Sequence, residues 1–161
     1  MSAVDKINYV ILVVDDDIIW QETLSNYFKR RGFNVLVAAD VHEAKDILAA
    51  HQIDVAILDS NLGKGGNGKD VGEHIVEDIW PRQEKAEMDK TAIVTFSGDF
   101  YHVKGESAAY SKLWALDFVR EFAGGSLAWI KEMKAKVPGQ RSSRPADAPD
   151  VNSGLDHYRI K

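Results

Sequence analysis

Asp15, Asp16 and Asp17 stand in a row where the apolar run Tyr9 to Val14 (YVILVV) stops. Asp59 stands where the run Ile53 to Leu58 (IDVAIL) stops, and Ser97 where Ala92 to Phe96 (AIVTF) stops. Carboxylates converging in one cleft repel one another. A divalent cation relieves that repulsion, and carboxylate oxygens with retained waters suit Mg²⁺. A carboxylate beside such a cation can attack phosphorus and form an aspartyl phosphate. Positive charge nearby then neutralises the equatorial oxygens during transfer.

That chemistry requires a fold that brings three distant strand ends together. Continuous apolar runs suit strands buried on both faces, as in a parallel sheet. Between them lie helical patterns. Trp20, Leu24, Tyr27 and Phe28 form a stripe within residues 18–31, closed by Gly32. Ala44, Ile47 and Leu48 share a face within 42–51, and Val71, Ile75, Val76 and Ile79 follow a glycine-rich loop at 60–68. Phe33 to Ala38 reads as a second strand. Pro81 marks the end of the third helix, and the charged stretch 82–90 reads as an exposed loop. Residues 108–123 look helical by composition, although Ala109 to Lys112 also suits a short strand. Residues 126–136 read as a helix starting at Ser126 and stopped by Pro138.

The alternation implies an α/β fold, a five-stranded parallel sheet in a three-layer, flavodoxin-like sandwich of order 2-1-3-4-5. Ligands of such sheets bind beyond the carboxyl ends of the strands. That order sets Asp59 between the acid triplet and Ser97.

Val13 to Asp17, Ala56 to Leu62 (AILDSNL) and Val94 to Gly98 resemble the matching motifs of two-component response regulator receiver domains, of the CheY-like kind. The resemblance covers roughly residues 8–130. It implies that Asp59 is the phosphoacceptor and a metal ligand. Asp16 would ligate Mg²⁺ directly, Asp15 partly through water, and Asn61 through its backbone carbonyl. Ser97 would bond a phosphoryl oxygen. The family also has a lysine at the end of strand 5, normally followed by proline. Lys112-Leu113-Trp114 lacks the proline and leaves only 99–107 for a fourth helix, an atypical region around strand 5. The rival is Leu127 to Ile130 as the strand with Lys131, which leaves almost no final helix. Lys112 is preferred, because a last helix must cover the sheet.

Each feature also has a plain structural reading. The acid triplet alone can be a turn and helix cap, Asp59 an Asx turn, and Ser97-Gly98 a turn. Their joint placement favours the chemical reading. His42, His51, His74 and His102 lack metal-ligand spacing and read as surface residues. Trp80, Trp114 and Trp129 read as packing. Gly63 to Lys69 (GKGGNGK) fits the phosphate-loop pattern G-x-x-x-x-G-K, but Asp70 stands where Ser or Thr should hold Mg²⁺. A nucleotide-binding protein is therefore a minor alternative.

Cysteine is absent, which excludes disulfides, zinc–thiolate sites and thiol catalysis. A net charge of −5 argues against nucleic acid as a partner. No apolar run nears the roughly 18 residues of a membrane span, and no signal-peptide pattern opens the chain. A cytoplasmic location is the default expectation. The domain is expected over 7–136, with a disordered tail over 137–161 too short for a helix-turn-helix output. The resemblance then implies a stand-alone signalling module rather than an enzyme. Its phosphodonor would be a histidine kinase or histidine phosphotransferase, its target an unidentified protein. A second possibility is a receiver-like interaction module that works without phosphorylation.

Overall fold

In the computed structural model, residues 9–98, 101–114 and 126–140 are described. Five parallel strands form one sheet in the order β2-β1-β3-β4-β5. They are β1 (Val10–Val14), β2 (Asn34–Ala38), β3 (Val55–Leu58), β4 (Ala92–Ser97) and β5 (Ala108–Ser111). The central strands β3 and β4 are buried at every position, as expected where helices cover both faces. The expected fold class and strand order are therefore those observed.

Helix α1 (Ile18–Arg30) follows β1 and α2 (Val41–Ala50) follows β2. After Arg31, Gly32 takes φ +91°. Its amide donates to Lys29 O and that of Phe33 to Phe28 O, a glycine-ended helix terminus. The Phe28 and Phe33 rings close that turn at 6.2 Å. Asp40 caps α2 through the Glu43 amide. Helix α5 (Ser126–Ala135) shares the α1 side of the sheet, where Trp129 stacks on Phe28 at 6.0 Å.

Pro81 does not end the third helix. Helix α3 (Gly68–His74) passes through a π-helical turn (Ile75–Ile79) into α4 (Trp80–Lys85). The wide turn bonds the Trp80 amide to Ile75 O, so the missing proline amide is accommodated one position later. Trp80 and Gln83 are buried on this continuation, so 82–85 of the expected loop is helix, whereas 86–90 lies outside helix and strand and is exposed or half-buried. Gln83 exchanges hydrogen bonds with Thr91 and thereby ties α4 to the start of β4.

The stretch that looks helical from residue 108 begins instead as strand β5, followed by a 3₁₀ turn (Lys112–Trp114). Residues 115–123 lie outside the described residues. Leu127 to Ile130 are in helix α5, which overturns the rival placement of strand 5. Residues 101–107, between β4 and β5, contain no helix. Packing substitutes for it. Val103 is buried against Gly72, and Gly105 lies against Trp80 at φ +85°. Packing also continues past the expected boundary at 136. Val137 is buried, and Gln140 bonds the Lys90 backbone at both its amide and its carbonyl. Residues 141–161 of the expected tail, and residues 7 and 8, lie outside the described residues.

At the far end of the sheet, Lys134 of α5 donates to Asp54 at 2.6 Å and lies 3.1 Å from Asp89. Asp54 also accepts from the Val10 amide at 2.8 Å. The ion pair therefore anchors α5 to β1 and β3.

Candidate functional site at the strand ends

β1 and β3 pair in register, Val14 beside Leu58, so Asp15 and Asp59 emerge side by side. Both are buried, at 2% and 7% exposure, whereas Asp16 faces solvent. One carboxylate oxygen from each of Asp15, Asp16 and Asp59 fits within 4.8 Å of the others. Asp17 turns away: its carboxylate accepts from the Ile19 amide and caps α1.

Lys112 reaches this cluster from just beyond β5. Its Nζ lies 2.7 Å from Asp15 Oδ2 and 3.3 Å from Asp59 Oδ2. The Trp20 ring lies 5.4 Å from the ammonium and the Phe96 ring 6.0 Å, and the two rings meet edge to face at 5.1 Å. Trp20 is thus a site neighbour that its helical stripe gave no reason to single out.

Burial pushes the Asp15 carboxyl above its ordinary range, against the Lys112 hydrogen bond and the Asp17 amide, which hold it down. Burial also raises Asp59, with Asp15 adding repulsion and Lys112 opposing it. Asp59 Oδ1 accepts from the Ser60 amide at 2.9 Å. Tyr101 donates to the carbonyl of Leu58, and burial pushes its hydroxyl well above its usual value. It therefore acts as a neutral donor.

Ser97 ends β4 in hydrogen-bond contact with Ser60 Oγ. Asn61 pairs in an isolated bridge with Asn67, and its side chain accepts from Gly63 N. The glycine loop supports the site. Its amides at Gly63, Gly65, Gly68 and Asp70 all donate to protein oxygens. Asn67 and Asp70 form a reciprocal cap on α3. Gly68 lets α3 approach the site closely, since a Cβ there would lie 2.0 Å from Asp59 O.

The response regulator receiver domain model matches residues 11–99, more than half of the chain and every element from β1 to the end of β4. The chain belongs to the response regulator receiver domain family. Among similar proteins, the aerobic respiration control protein ArcA of Escherichia coli strain K12 is 39% identical over 57 residues. That match covers 35% of this chain and 24% of ArcA. The regulatory protein VirG of Rhizobium rhizogenes is 25% identical over 138 residues, 86% of this chain and 50% of VirG. The matched parts of this chain thus span a quarter to a half of these relatives' length. The response regulator TrrA of Thermotoga maritima, solved in complex with Mg²⁺-BeF, superposes with a TM-score of 0.54 at 22% identity. That superposition covers 71% of this chain and 96% of TrrA. The signal receiver domain of an HD domain-containing protein from Pseudomonas fluorescens Pf-5 gives 0.56 at 18%, over 71% and 93%. These structures share the fold. Receiver domains are signalling modules of two-component systems that bind Mg²⁺ at an acidic pocket. Three clustered carboxylates, with oxygen donors only, fit that ion.

Proposed function

We propose that this receiver domain accepts a phosphoryl group on Asp59 and signals through the resulting change in protein contacts. The observation that carries the reading is Lys112, which reaches both Asp15 and Asp59 although its sequence context departs from the family pattern. A cation placed there balances the buried acids at rest and can turn to the phosphoryl oxygens after transfer.

The donor would be a phosphohistidine of a histidine kinase or histidine phosphotransferase. An Asp59 oxygen attacks phosphorus, the new O–P bond forms as the N–P bond breaks, and the histidine nitrogen leaves with the electron pair. Asp59 must be ionised to attack, and Lys112 is the cation that lowers its proton affinity. Asp15, Asp16, Asp59 and the Asn61 carbonyl would hold Mg²⁺. When bound, that ion offsets the carboxylate and phosphoryl charge. Ser97 would donate to a phosphoryl oxygen. Gly98 adds no side chain beside Ser97, and a Cβ there would meet nothing within 4 Å among the described residues outside its chain neighbours.

The target would be an unidentified protein rather than nucleic acid, given the net charge of −5. Among the described residues no helix is long and apolar enough to cross a membrane. A cytoplasmic setting suits its proposed donor. The test is beryllofluoride with Mg²⁺, followed by amide resonances. The reading predicts shifts around Asp59 and Ser97 that Asp59→Asn abolishes. A full response in that variant would contradict it. No response in the wild type would favour a module that works without phosphorylation.

A further inference from the structure

Ser60 follows the phosphoacceptor directly, and nothing in its sequence context marks it as more than a loop residue. The β3–β4 register pairs Leu58 with Thr95, so two positions on, Ser60 comes beside Ser97. Their hydroxyl oxygens lie 2.5 Å apart, and either can donate. The Ser60 backbone is fixed on both sides. Its amide donates to Asp59 Oδ1, and its carbonyl accepts from Gly68 N. Ser97 is only 3% exposed, so water competes poorly for its hydroxyl.

We infer that Ser60 holds the Ser97 hydroxyl in the unphosphorylated protein, and that phosphorylation of Asp59 exchanges this bond for one to a phosphoryl oxygen. The inference rests on the proposed role of Asp59. A serine hydroxyl has a single hydrogen to donate, and its oxygen rotates about one side-chain bond. Where Ser97 donates to Ser60, its one hydrogen cannot also reach the phosphoryl group, and with either donor the rotation that carries its oxygen toward that group draws it away from Ser60. Ser60 opposes activation by the net value of one neutral hydrogen bond. It is a positioning residue that sets how readily the switch responds, not a group that touches phosphorus.

The experiment titrates beryllofluoride at saturating Mg²⁺ into the wild type, Ser60→Ala, Ser60→Thr and Asp59→Asn, following the Ser97 and Gly98 amides. Mg²⁺ affinity is measured separately without fluoride. Ser60→Ala is expected to bind beryllofluoride about threefold to tenfold more tightly, the range one neutral hydrogen bond supports. Ser60→Thr keeps a hydroxyl and is expected to match the wild type. Mg²⁺ affinity is expected to stay the same in both. Equal or weaker beryllofluoride binding by Ser60→Ala, with an Asp59-dependent response in the wild type, would overturn this inference alone. A response that survives Asp59→Asn would overturn the proposed function, and this inference with it.

Discussion

Lys112 Nζ donates to Asp15 Oδ2 at 2.7 Å, joining the end of β5 to the end of β1 across 97 positions of sequence. The same ammonium lies 3.3 Å from Asp59, so removing it leaves two buried carboxylates without their shared cation. Lys112→Ala is expected to permit phosphorylation but to uncouple it from the response at Ser97. The beryllofluoride-induced shift of the Ser97 amide should fall to a small fraction of the wild-type value. Lys131→Ala should leave it intact. The reverse pattern would show that the resting position of Lys112 has no part in the switch.

Asp16 and Asp17 are adjacent but do different work. Asp16 belongs to the carboxylate cluster, whereas Asp17 caps α1. Asp16→Ala should abolish Mg²⁺ binding in a calorimetric titration. Asp17→Ala should retain most of it while losing about 1 kcal/mol of stability, the usual value of a helix cap. Equal loss of Mg²⁺ binding in both would contradict the division.

Asp15 and Asp59 hold their protons more firmly in the folded chain than in the unfolded one, where the ordinary value is 3.8. Their contribution to stability is therefore most favourable below that value and is lost as pH rises through their folded values. At neutral pH without divalent cation, Asp59→Asn removes a buried charge and relieves Asp15. Its melting temperature should exceed that of the wild type by a few degrees, with the gap closing as pH falls toward 4. A lower melting temperature at neutral pH would contradict this.

The aspartyl phosphate is expected to be short-lived. Hydrolysis needs water in line with phosphorus, opposite the Asp59 oxygen. Asn61 is exposed and polar, and Gly98 carries no side chain to obstruct the path. Asp99, two positions after Ser97 in the sequence, lies outside the described residues. Asn61→Arg should lengthen the lifetime several-fold by obstructing that water. Phosphate release after donor removal measures it. A wild-type phosphoprotein stable for many hours, or faster loss in the variant, would defeat the argument.

The strand ends were legible because parallel strands buried on both faces leave long apolar runs, and an acid or hydroxyl where a run stops is conspicuous. Asp15, Asp16, Asp59 and Ser97 follow from that pattern. The continuation of α3 past Pro81 was hidden because a π turn depends on tertiary packing, here the burial of Trp80 and Gln83, and not on local propensity. Strand β5 was obscured by its composition. Ala108-Ala109-Tyr110-Ser111 has weak strand propensity and is held by its pairing with β4. Packing of Val103 on Gly72 takes over part of what a crossover helix would cover, a contact between residues 31 positions apart. The Ser60–Ser97 contact needed the register of two strands, which apolar patterning does not set.

The most direct test of the central claim is incubation of the protein with a small-molecule phosphodonor and Mg²⁺, read by intact mass. The account predicts a gain of one phosphoryl group, dependent on Mg²⁺, persisting at mildly acidic pH, labile to base and hydroxylamine, and absent from Asp59→Asn. A wild-type mass that never changes, or a phosphoryl group that still appears on Asp59→Asn to the same extent, would contradict it.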